Sequence, residues 1–108
     1  MMSSRPGSAK QWAVAQNTFT ASGSASLSPA LSGGQVGKPT EIEVSGSVAG
    51  YVTLSFGNNS QIVVLVNPNA PYTVKAIPST AFPAPTNSVS VTATASGAGV
   101  ITVAIGFN

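Results

Sequence analysis

Strict two-residue alternation fills the C-terminal part of this chain and leaves it few folds other than a sheet. From Asn87 to Ala95, Val89, Val91, Ala93 and Ala95 alternate with Ser88, Ser90, Thr92 and Thr94. From Val100 to Phe107, Ile101, Val103, Ile105 and Phe107 alternate with Val100, Thr102, Ala104 and Gly106. Successive side chains of a strand point to opposite faces, so this period sets one apolar row on a core and a second row outside. Ser96-Gly97-Ala98-Gly99 separates the two runs, and together they read as a β-hairpin. Nowhere do apolar residues recur at i, i+3, i+4 and i+7 over ten or more positions, which predicts very little helix.

The pattern recurs upstream. Thr40 to Val48 sets Ile42, Val44, Gly46 and Val48 against Glu41, Glu43, Ser45 and Ser47, and Tyr51 to Phe56 sets Val52, Leu54 and Phe56 against Tyr51, Thr53 and Ser55. The short Ala49-Gly50 link between them predicts a second hairpin, with the two strands as antiparallel neighbours. Gly57 to Ser60 is a turn of residues that tolerate positive φ, and it leads into QIVVLV, Gln61 to Val66. That run is continuous rather than alternating, so both its faces are expected to be covered. Uncharged, proline-free and β-prone, it has to be central in a sheet or capped by a partner.

After Asn67-Pro68-Asn69-Ala70-Pro71, Tyr72, Val74 and Ala76 alternate with Thr73, Lys75 and Ile77 in a further strand. Pro78, Pro83 and Pro85 make Pro78 to Thr86 an extended connection, because proline cannot donate to a ladder. Its one large apolar residue, Phe82, is either a plug in the core or a contact for a partner. Nearer the N-terminus, Gln11 to Thr20 reads as a strand with a turn or bulge near Asn17. Ala21 to Gly37 reads as a loop of Ser, Ala and Gly from which only Leu27, Leu31 and Val36 could reach a core. Residues 1–10, with Pro6 and Gly7 breaking any regular element, read as an arm carrying Arg5 and Lys10, either frayed or laid along a neighbouring subunit. Residues 11–108 are then expected to form one all-β domain of about six to eight short strands. The fold class is an antiparallel β-sandwich, jelly-roll-like, or a small barrel, with an extended N-terminal arm.

Composition narrows the chemistry. A globular domain carries about 25% charged residues; this chain of 108 carries 6%, and it has no Asp, His or Cys. Serine catalysis lacks its usual base, zinc lacks its ligands, and two carboxylates are too few for calcium, so no cofactor or metal is expected. Glu41 and Glu43 stand roughly 7 Å apart by strand rise, within the range of an inverting glycosidase pair. Two acids on the polar face of an amphipathic strand beside Lys38 read instead as a solvated face that also protects an edge. Four dispersed cations make no basic stripe, so nucleic acid is not an expected partner. No run of apolar residues is long enough for a membrane span, and no secretory leader pattern is visible. Trp12, Tyr51 and Tyr72 could stack on sugars if they gather on one face, and otherwise cap the core.

The order of elements from Thr40 to Asn108, with NPNAPYTVKAIPSTAF followed by SVSVTATA and a last strand ending in Phe-Asn, resembles small β-rich virion proteins of tailed bacteriophages. The resemblance implies a non-enzymatic capsid decoration or cement protein, or a head-fibre component, in the virion and assembled in the host cytoplasm. It implies the major capsid protein or other virion proteins as partners, and a homo-oligomer, with a trimer favoured. Arg5, Lys10, Trp12 and Phe82 are the residues expected to touch a partner. The alternative is a carbohydrate-binding or receptor-binding β-sandwich module of a tail or fibre.

Overall fold

A computed structural model describes residues 11–57 and 59–108; the expected arm, with Arg5 and Lys10, lies outside the described residues. Among the described residues eight strands follow one another: β1 Gln11–Phe19, β2 Gly23–Leu27, β3 Pro39–Gly46, β4 Gly50–Phe56, β5 Ser60–Val66, β6 Thr73–Ala76, β7 Val91–Ala95 and β8 Gly99–Phe107. They form two four-stranded sheets, here A and B, with orders β1-β8-β3-β6 and β2-β7-β4-β5. All pairs are antiparallel, and the inner faces pack on each other as a β-sandwich.

The pairing follows one rule. First strand pairs with last, second with seventh, third with sixth and fourth with fifth. A long antiparallel ribbon folded over a core gives this scheme, which is that of the eight-stranded jelly roll. At one end the β3–β4 and β7–β8 connections lie side by side, where successive passes of the ribbon meet. The β3–β8 and β4–β7 ladders extend into them: Ser47 N–H donates to Val100 O at 2.9 Å, Val100 N–H to Ser47 Oγ at 2.9 Å, and Ser96 N–H to Ala49 O at 2.9 Å.

Two expected hairpins are therefore corrected. β3 and β4 lie in different sheets, and so do β7 and β8. In each case both strands carry a buried row, Ile42 and Val44 against Val52 and Leu54, and Val91, Ala93 and Ala95 against Ile101, Val103 and Ile105. These rows meet across the core instead of side by side in one sheet. Among the described strands only β4 and β5 are both consecutive and hydrogen-bonded, turning at Asn59 with φ 65°.

Three other expectations change. β1 runs to Phe19 in unbroken register with β8, and Asn17 sits opposite Ile101, so there is no turn there. The supposed loop holds β2, whose small residues extend because β7 supplies a ladder from Gly23↔Ala95 to Leu27↔Val91. Leu27 and Leu31 are buried as expected, whereas Val36 is exposed. QIVVLV, expected to be central or capped by a partner, is the edge of sheet B: Val64 and Val66 face the core, while Val63 and Leu65 face outward.

At the far end the β2–β3 and β6–β7 connections are tied together, and Asn87 is the knot. Its side-chain amide donates to Leu31 O at 2.9 Å and Gln35 O at 2.7 Å, while Gly37 and Thr86 exchange backbone bonds. Asn87→Ala should leave two carbonyls without this donor and cost about 1–3 kcal/mol, read as a lower urea midpoint with unchanged slope. A register shift between Pro39 and Glu41 puts Thr40 in a bulge on β3, with its hydroxyl donating to Gly106 O at 3.2 Å. The bulge reverses the facing, so Pro39 is buried opposite Phe107 and Glu41 looks outward opposite Gly106.

Candidate interaction surface

The outward residues of sheet A form rows across its four strands. One row runs Trp12, Gly106, Glu41 and Ala76; the next runs Val14, Ala104, Glu43 and Val74. Residues facing one another across a ladder share a face, so the two carboxylates of the chain lie side by side on the exterior. The floor along β8 is small. A methyl added to Gly106 would sit 3.1 Å from the Trp12 ring edge and 3.1 Å from Glu41 Cγ, so the indole and the Glu41 stem both fold over this glycine. Trp12 stays 43% exposed, and Val14, Val74 and the nearby Tyr72 are exposed too. Apolar side chains flanking two carboxylates thus make up much of this face.

Sheet B shows a different exterior. Ser24, Thr94, Tyr51 and Leu65 form one row, and Ser26, Thr92, Thr53 and Val63 the next. Ser24 Oγ and Thr94 Oγ1 are 2.9 Å apart, one hydroxyl serving the other. No charged side chain stands in either row, and the β5 side is apolar, with Leu65 66% exposed.

The expected site residues are scattered. Trp12 lies on the exterior of sheet A, while Phe82 packs half-buried against the core from the proline-rich connection. Tyr51 is outward on sheet B and so looks away from Trp12 on sheet A, which splits the set of rings that a sugar platform would need together. Glu41 and Glu43 are half-buried on the exterior of sheet A, in adjacent rows of one strand. A shallow depression at the β4–β5 turn, lined by Ser55, Phe56, Gly57, Asn59, Ser60 and Gln61, holds no titratable side chain.

Val14, Val63, Leu65 and Val74 are the surface residues that sequence reading did not single out. For Val63 and Leu65 the signal was present, in the failure of QIVVLV to alternate. Compared with protein-family models, with curated proteins and with solved structures, the chain matches none. Its class therefore rests on the fold: an eight-stranded jelly-roll sandwich with apolar residues on both exteriors.

Proposed function

We propose that this chain is a non-enzymatic structural protein of a viral particle, a decoration or cement protein that binds and stabilises a phage head. The observation that carries the reading is the exterior of the sandwich. Trp12, Val14 and Val74 on sheet A, and Tyr51, Val63 and Leu65 on sheet B, stay exposed in a chain with only 6% charged residues. Apolar exposure on this scale suits lasting contact with neighbours. The jelly roll is a fold of capsid and lectin domains alike, so the fold alone does not choose between them. The placing of Trp12 and Tyr51 on opposite exteriors favours a protein partner over a glycan.

Many copies on a symmetric shell need only modest affinity each, and binding to the assembled shell stabilises it by mass action. Apolar contacts of this kind change little with salt. The test combines sedimentation of the chain alone with co-pelleting on purified tailed-phage heads stripped of decoration proteins. A multimer, with a trimer favoured, and saturable pelleting that survives about 0.5 M salt, where the Debye length is roughly half its physiological value, are the expected results. A monomer that ignores heads and binds a glycan array overturns the proposal.

Val14→Asp probes the surface itself. Val14 is 62% exposed, so the fold should survive, while a charge in the same outward row as Glu43, with Ala104 between them, should weaken head binding about tenfold or more. Equal binding by this variant would remove the exterior of sheet A from the interface.

A further inference from the structure

The edge of sheet B carries an unusual contact. Lys75 belongs to β6, the edge of sheet A, yet its Nζ donates to the backbone oxygen of Val63 on β5 at 3.1 Å. One sheet's edge thus reaches across the open side of the sandwich to cap the other's. The bond also fixes the orientation of β5. In an antiparallel ladder, alternate residues turn their N–H and C=O toward the partner or away from it. Because the Val63 carbonyl is held by Lys75, Gln61, Val63 and Leu65 turn theirs toward the open edge, while Ile62 and Val64 bond to β4.

That edge is built to match itself. The outward set 61, 63 and 65 is symmetric about Val63, so a second β5 laid antiparallel would set Val63 opposite Val63 and Gln61 opposite Leu65 of the other copy. Sheet B would continue into its copy as an unbroken sheet, and the outward Val63 and Leu65, beside Tyr51, would merge into one apolar strip. No charge on β5 opposes this union. Lys75 opposes it in two ways. It occupies the acceptor at the centre of the new ladder, and it would bring a second ammonium against its own across the two-fold axis.

We propose that Lys75 is a guard that prevents β5 from pairing with β5 of a second copy, and that the edge is a self-docking surface once the guard is removed. A lysine turned in at a sheet edge is a known means of blunting it. Here it protects the most aggregation-prone segment of the chain at its central hydrogen-bonding position.

The test is Lys75→Met, which keeps the stem and removes the charge and donor. Sedimentation velocity should show the mass per particle doubled relative to the unsubstituted chain, with self-association tightened about tenfold or more. Hydrogen exchange should slow at the amides of residues 61, 63 and 65. Adding Val63→Lys to that variant should return the original mass, and Lys75→Arg should never depart from it. Lys75→Gln, checked by near-UV circular dichroism, replaces the methionine variant if that one misfolds. An unchanged mass for the folded variant overturns the proposal, as does a doubling that Val63→Lys fails to reverse, which would place the contact on another surface. Head binding is read separately by pelleting, so the failure of either idea leaves the other measurable.

Discussion

Removing Ile105 to Asn108 should abolish cooperative unfolding. β8 is central in sheet A, between β1 and β3, and the deleted segment supplies Ile105 and Phe107, at 0% and 1% exposure. Without it Gln11 to Ala13, and Pro39, Glu41 and Ile42, lose their β8 ladder partners at once, since all of these pair with residues 105–107. The exchange between Lys38 and Asn108, at 3.1 and 2.8 Å, is lost as well. Phe107 is the largest fully buried side chain; its replacement by Ala alone is worth about 3–5 kcal/mol, against a total stability of about 5–15 kcal/mol for a domain of this kind. The truncated chain should show no thermal transition in circular dichroism, and Phe107→Ala should keep one at a much lower midpoint. A truncated chain that melts cooperatively at the original temperature would show that β8 is not the organiser of sheet A.

Gly50→Ala should cost about 3 kcal/mol or more, at the upper end for overpacking. Gly50 opens β4 opposite Ala95, and a methyl there would collide with the backbone oxygen of Thr94 and stand 3.1 Å from the Ala95 Cα. These are ladder atoms of β7 and not the tip of a flexible chain, so the relief has to come from moving a strand. Gly46 is under similar constraint, with Val100 O at 2.7 Å and Val66 Cγ1 at 2.9 Å from the same kind of probe. Gly97, in the β7–β8 connection, has nothing within 4 Å, so Gly97→Ala serves as the matched control and should shift the urea midpoint very little. Equal midpoints for Gly50→Ala and Gly97→Ala would mean that β4 and β7 slide freely, against the packing described.

Alternation identified the inward faces of β3, β4, β7 and β8, because a buried row needs an apolar residue at every second position. It could not give the neighbours. Val91, Ala93 and Ala95 look the same in sequence whether Ile101, Val103 and Ile105 lie beside them or across the core, and the short Gly-rich links suit a hairpin as well as a corner between sheets. β2 escaped notice because Gly, Ser and Ala have weak strand preference, and its ladder to β7 overrides that preference. For the surface, the sequence left Trp12 open between a core cap and an exposed contact until the register put it outside, and of the two readings of Phe82 the half-buried ring rests against the core. Val14 and Val74 were illegible, since an apolar residue on the outward row is indistinguishable from a core residue until the register is known.

The pairing of β1 with β8 sets a condition in time. Each residue from Gln11 to Phe19 waits for a partner between Gly99 and Phe107, so sheet A cannot close until β8 has been made. Contacts so distant in sequence form slowly, because the intervening chain has to be brought to order first. Until the ribbon closes, β5 is complete but unguarded, since Lys75 is placed only when β6 finds β3. The yield of folded protein should therefore depend on how crowded the ribosomes are, and slower or cooler synthesis should favour the soluble form.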